Sequence, residues 1–279
     1  MENITEDVLF YNICYSNYYM SLIFSLLSKK YNLLSKGYNG EQRTPRSYFL
    51  KYIEDVDEYG FVCKYWINKF TNRKEGKYLE FHPNGTKSKE CWYIDGKQEG
   101  KCQYWYDNEN KWGECYYKND ELNGKYESWY GYGNKNILCF YIDGKLNGKY
   151  ESWYGYGNKN ILCFYIDGKK EGKYEKWYSN VFKNIESTYT NGKLEGKYEH
   201  FYSNGAKNIE CYYKDDKKEG KYLKWYENGI KNIECYYKDD KKEGKYLEWY
   251  ENGIKNIECT YKDNELYDTS SCILKDIML

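Results

Sequence analysis

Apolar and polar residues alternate along most of this chain, and the alternation repeats with a fixed period. Taking Gly220 as position 0, Lys221–Tyr226 reads as a strand and Asn228-Gly229 as a turn. Asn232–Lys238 reads as a return strand and Asp239-Asp240 as a second turn, before Gly244 starts the cycle again. The same marker glycine recurs at Gly76, Gly100, Gly124, Gly148, Gly172 and Gly196, always 24 residues on. Lys-Tyr follows each marker except Gly100, where Cys102 replaces the tyrosine. Leu122–Lys145 is identical to Leu146–Lys169, and Cys211–Leu223 to Cys235–Leu247. Self-similarity at one period is the signature of a repeat array, in which each unit buries its core against its neighbours.

Two strands and two turns fill the 24 residues, so each repeat is a hairpin and the array an antiparallel meander. Asn-Gly at positions 8 and 9 predicts a two-residue type I′ turn with positive φ at both residues. Asp-Gly, Asn-Gly or Asp-Asp predicts the same at positions 19 and 20, as at Asp143-Gly144 and Asn191-Gly192. With two-residue turns, position 2 opposes 15, 4 opposes 13, and 15 opposes the next marker glycine. One face then gathers Tyr at 2, Ile at 13, Cys at 15 and Tyr at 17, and is the expected dry face. The other carries Trp or Phe at 5 and, in most repeats, an aromatic at 16, diluted by Lys, Glu, Asn and Ser. Eight hairpins give about 16 strands and a span of ~75 Å.

The ends differ. Residues 1–45 read as helical: Thr5 with Glu6 and Asp7 marks a helix start, and Leu22, Ile23, Leu26, Leu27, Leu33 and Leu34 recur at helical spacing. Residues 46–75 are a transition holding a degenerate repeat, with the array beginning near Gly60. Residues 76–264 are the array, and residues 265–279 a C-terminal cap over an open edge, with a short helix from Asp268 to Leu279.

Composition narrows the classes. Lys+Arg and Asp+Glu both number 43 and are interleaved, so nothing draws the chain to nucleic acid. The 39 tyrosines and two prolines suit strands. Seven of the 11 cysteines occupy position 15, from Cys91 to Cys259. Neighbours in that column are ~9.6 Å apart, two strand spacings, too far for disulfides or one tetrahedral zinc. With no secretory signal, a reduced cytoplasmic protein is expected. His82 and His200 are expected to be structural, and no residues form a catalytic constellation, metal site or cofactor site. The longest apolar stretch, Met20–Leu27, is too short to span a bilayer.

The remaining candidate is the tryptophan column: Trp105, Trp129, Trp153, Trp177, Trp225 and Trp249. It either packs on position 16 to cover the sheet or forms an aromatic stripe that receives a protein segment.

The pattern G-K-Y-x-x-W-Y-x-N-G…Y-x-D-G-K-x-x-G over residues 76–264 resembles the MORN repeat, in the variant found in bacterial antitoxin-like and giant-virus proteins. The resemblance implies a non-enzymatic protein-binding scaffold, in host cytoplasm if viral. It also implies two alternatives, an antitoxin-like binding protein and a membrane-associated protein, though zero net charge predicts weak attraction to anionic lipid. Residues 4–34 resemble an F-box, with Ile4-Thr5 where that motif opens on Leu-Pro. That resemblance implies a Skp-type ubiquitin-ligase adaptor as partner, contacted by Val8, Leu9, Leu26 and Leu27. The bland reading of the same segment is a cap on the sheet.

Overall fold

The computed structural model describes residues 46–268 together with Met20, Ile23 and Leu26. The described chain is mainly β, an antiparallel meander of hairpins, and it divides into two compact units. One holds the described residues up to Lys111 with Tyr116–Glu121; the other holds Trp112–Cys115 and the described residues from Leu122.

In the first unit a helical turn, Arg46–Phe49, leads into a hairpin of Leu50–Val56 and Val62–Asn68. Their register runs from Leu50 opposite Asn68 to Val56 opposite Val62. Phe49 and Leu50 are buried here, with the Tyr48 ring edge-on to Phe49 at 5.0 Å. Val62–Lys64 then pairs with Leu79–Phe81, and Gly76–Phe81 with Lys87–Ile94.

The second unit repeats one hairpin design. In the hairpin of Gly220–Trp225 and Lys231–Lys238, Tyr222 opposes Cys235 and Lys224 opposes Ile233, the expected register. The second turn is also as expected. Asp239 and Asp240 both have positive φ, 50° and 66°, as a type I′ turn requires.

Two expectations need correction. The first turn is not type I′. Tyr226 N donates to Ile230 O and Gly229 N to Tyr226 O, closing a three-residue loop in which only Gly229 has positive φ. The extra residue is absorbed by a bulge, because Lys224 pairs with Ile233 but Trp225 with Lys231, leaving Asn232 unopposed.

Nor does position 15 oppose the next marker glycine. Tyr189 pairs with Leu194 but Ser187 with Tyr198, so Gly196 and Lys197 are looped out of the pairing with the preceding strand. A slip of two residues leaves every side chain on its original face, which is why the face assignment survives. The marker glycine is also not there to make room. A Cβ on Gly196, Gly220 or Gly244 would meet nothing within 4 Å, whereas their φ values are 88°, 79° and 77°. Glycine is required by the backbone.

That slip builds the core. Where both flanking repeats carry tyrosine at position 2, the position-15 residue lies between the tyrosine of its own hairpin and that of the next, as Ser187 does between Tyr174 and Tyr198. Cys235 opposes Tyr222 and clusters with Tyr246 and Cys259. Within each hairpin the tyrosines at 2 and 17 meet edge to face, Tyr222 and Tyr237 at 5.5 Å and Tyr174 and Tyr189 at 5.7 Å. Cys139, Cys163, Cys211, Cys235 and Cys259 are at most 2 % exposed, although among the described residues no second layer covers the sheet. The tyrosine rings themselves roof the cysteines. Burial of the thiols is complete; the tyrosines stay half-buried in most repeats.

Candidate functional site

The face opposite the cysteines carries positions 1, 3, 5, 11, 14 and 16. Its centre is a network of paired charges. Lys173 Nζ lies 3.0 Å from Glu175 and 2.8 Å from Glu186, and Lys183 reaches both of the same carboxylates. Lys197 and Lys207 hold Glu199 and Glu210 in the same way. Partial burial pushes the Glu175 and Glu199 carboxyls up, but two lysines on each outweigh it and hold both below the usual carboxylate range. Cross-strand neighbours of opposite charge thus tie one strand to the next.

The tryptophans lie beside this network. Trp105, Trp129, Trp153, Trp177, Trp225 and Trp249 are all half-buried rather than exposed. The position-11 lysine of the preceding repeat sits over the ring, as at Trp105, Trp153, Trp177, Trp225 and Trp249. Lys87 is 4.7 Å from the Trp105 centroid, Lys135 5.5 Å from Trp153, and Lys159 5.6 Å from Trp177. Lys207 lies 5.6 Å from Trp225 and Lys231 5.3 Å from Trp249. These contacts are within cation–π range, so one ring face of each is occupied by the protein's own cation. A shallow opening of 440 Å³ separates Trp153 from Trp177, lined also by Gly157, Asn158, Lys159 and Val181. In the first unit, one of 340 Å³ lies beside Trp105.

The more exposed aromatics are those at position 16. Phe140, Phe164, Tyr212 and Tyr236, all in the second unit, are 38–46 % exposed. The sequence points to the tryptophan column as the aromatic stripe, because exposed aromatic surface marks binding sites. The available signal was the lysine at position 11, which has the reach to cover a ring.

Position 6 stitches repeat to repeat. Tyr154 Oη donates to Trp177 O at 2.8 Å, Tyr202 to Trp225 O at 2.8 Å and Tyr226 to Trp249 O at 2.9 Å. His82 holds this position in its repeat, and its Nε2 lies 3.0 Å from Trp105 O. A carbonyl only accepts, so Nε2 donates, and the histidine performs the tyrosine's task. His200 Nδ1 accepts from Asn208 Nδ2 at 3.0 Å, and burial lowers its pKa. At the turns, Asn228 Nδ2 donates to Glu251 O at 3.1 Å, while Glu219 accepts from Asp239 N at 3.0 Å.

Burial pushes the Cys139, Cys211 and Cys235 thiols up to about 11, which leaves them protonated and unreactive at neutral pH. Among the described residues, no group of three His, Cys, Asp or Glu side chains has metal-site geometry. No described helix is long and apolar enough to cross a membrane. Of the head residues singled out in the sequence, Leu26 is described: its backbone is helical and its side chain 76 % exposed, with Met20 and Ile23 also helical and exposed. Val8, Leu9 and Leu27 lie outside the described residues, as do residues 269–279 of the expected C-terminal cap; its first residues are not helical, since Glu265–Asp268 is a strand paired with Thr260–Lys262.

No family model and no curated protein matches the sequence. Among solved structures the chain has a likeness to TcdB2-TccC3, at 9 % identity and a TM-score of 0.17, and to TcdB2-TccC3-Cdc42, at 10 % and 0.18. Each covers 75 % of this chain, which spans 14 % of the length of those chains. Likeness at that level carries no argument.

Proposed function

We propose that this chain is a non-enzymatic protein-binding scaffold of MORN-type repeats, and that its partner lies on the aromatic, charge-paired face. The observation that carries the reading is the row of half-exposed rings at Phe140, Phe164, Tyr212 and Tyr236. Exposed rings at one repeat position, interrupted at Thr188 and framed by paired charges, suit a protein segment whose apolar side chains follow the repeat. The test is crosslinking capture with the full chain. The quadruple variant Phe140→Ser, Phe164→Ser, Tyr212→Ser, Tyr236→Ser is expected to lose the captured protein while keeping its circular dichroism. A Tyr132→Ser, Tyr156→Ser control, which removes exposed turn aromatics instead, is expected to retain it. Retention by the quadruple variant, or no partner for the wild type, ends the reading.

A second reading, that the head engages a Skp-type adaptor, draws on Met20, Ile23 and Leu26. They are helical, apolar and exposed, and their three-residue spacing puts them on neighbouring parts of one helix surface. Co-purification of the adaptor with the full chain, but not with a Leu26→Asp, Leu27→Asp variant, is the expected result. Equal or absent recovery from both removes it.

A further inference from the structure

The cysteine column skips every other strand, which is what keeps its members apart. Cys102 breaks that rule. It stands at position 2, where every other repeat has tyrosine, on the strand that follows the Cys91 strand. Lys89 pairs with Tyr104 and Glu90 with Gln103, so the next pair along these antiparallel strands is Cys91 with Cys102. The equivalent pair later in the array, Ser187 with Tyr198, is present in the register. That register puts the two side chains on the same face of neighbouring strands, and they are 1 % and 0 % exposed. Directly opposed antiparallel residues have Cα atoms about 4.5–5.5 Å apart, inside the range a disulfide spans without backbone movement.

We propose that Cys91 and Cys102 are a dithiol pair that forms a cross-strand disulfide by exchange with a low-molecular-weight disulfide of the glutathione class. One thiolate attacks a sulfur of oxidised glutathione, forming a mixed disulfide and releasing one glutathione thiolate. The second cysteine's thiolate attacks the protein-bound sulfur of that mixed disulfide, closing the Cys91–Cys102 bond and releasing the second glutathione. The pair loses two electrons and two protons, and the glutathione disulfide becomes two thiols. Both sulfurs are buried, so exchange requires local opening and is faster during folding than afterwards.

The molecule contains its own control. Cys211 and Cys235 belong to the same column, but the strand between them carries Tyr222, which opposes Cys235. The experiment refolds the full chain across a series of glutathione redox buffers. Remaining thiols are then alkylated in denaturant, and the peptides mapped by mass spectrometry. Cys91 and Cys102 are expected to lose alkylation together and appear as one linked peptide pair, while Cys211 and Cys235 stay fully alkylated. Thermal unfolding of the oxidised form is expected to shift up and to return on adding reductant. A Cys102→Tyr variant places here the residue found at this position elsewhere, and its Cys91 is expected to be fully alkylated. Alkylation of Cys91 and Cys102 equal to that of Cys211 and Cys235 overturns the proposal. So does their linkage to other cysteines, or loss of Cys91 alkylation in the Cys102→Tyr variant.

Discussion

Val181 has a left-handed backbone, φ 70°, at the loop position that glycine fills at Gly205, Gly229 and Gly253. A β-branched residue is strained there by roughly 1–2 kcal/mol, because its Cβ crowds the following carbonyl. Its side chain is 62 % exposed, so little packing offsets the strain. Val181→Gly is therefore expected to stabilise the chain by about 1 kcal/mol, after allowing for glycine's greater freedom when unfolded. A urea midpoint unchanged or lowered in the variant would contradict that. The same loop shows why the first turn was misread. Asn-Gly favours type I′, but a type I′ turn would force positive φ on Tyr132 and Tyr156, which hold the asparagine's place in two repeats. Neither has it; Gly133 and Gly157 do, at 95° and 91°. Those two tyrosines were the warning that the glycine alone turns the chain.

At the scale of the hairpin, residue pairing was legible up to the bulges. A 24-residue period fixes the total taken up by strands, turns and bulges, not its division among them. The slip of two at the marker glycine was invisible because it leaves both faces unchanged. The dry face was legible because cysteine and tyrosine alternate with charged residues. Its roof of half-exposed rings was not, since pattern alone implies a second layer. Between strands, His200 gives a test in solution. It accepts a hydrogen bond as a neutral ring, and burial holds its folded pKa below the ordinary 6.5. The unfolded chain therefore binds a proton more readily, and stability falls as pH drops below about 6.5. The paired carboxylates such as Glu199 have lowered pKa values, so their contribution is lost only as pH falls below about 4.5. Between pH 7.5 and pH 5 the wild type is expected to lose stability relative to His200→Ser, which has the residue found at the same place in Ser128 and Ser152. Parallel pH dependence of the two denaturation midpoints would show that His200 is not the sensitive group.

Across whole repeats, the main hydrogen bonds that join neighbours recur with the period. Tyr202 reaches Trp225 O as Tyr226 reaches Trp249 O, and Glu195 accepts from Asp215 N as Glu219 does from Asp239 N. A repeat excised in register should therefore leave its two neighbours able to bond to each other. Removing residues 211–234 joins Glu210 to Cys235, and Cys235–Leu247 repeats Cys211–Leu223 residue for residue. The join falls in the middle of a strand and restores the original local sequence. Stability in such arrays is close to a sum of repeat and interface contributions. The shortened chain is expected to fold with an unchanged circular dichroism spectrum per residue and a modestly lower melting temperature. Removing one residue fewer, 211–233, inserts Glu234 ahead of Cys235 and turns the two sides of the join onto opposite faces. That would bring charged side chains under the tyrosine roof and cysteine into water. In this second chain the amides on either side of the join are expected to lose hydrogen-exchange protection. If both deletions are tolerated equally, local bulges are absorbing register, and the paired faces are not what aligns one repeat with the next.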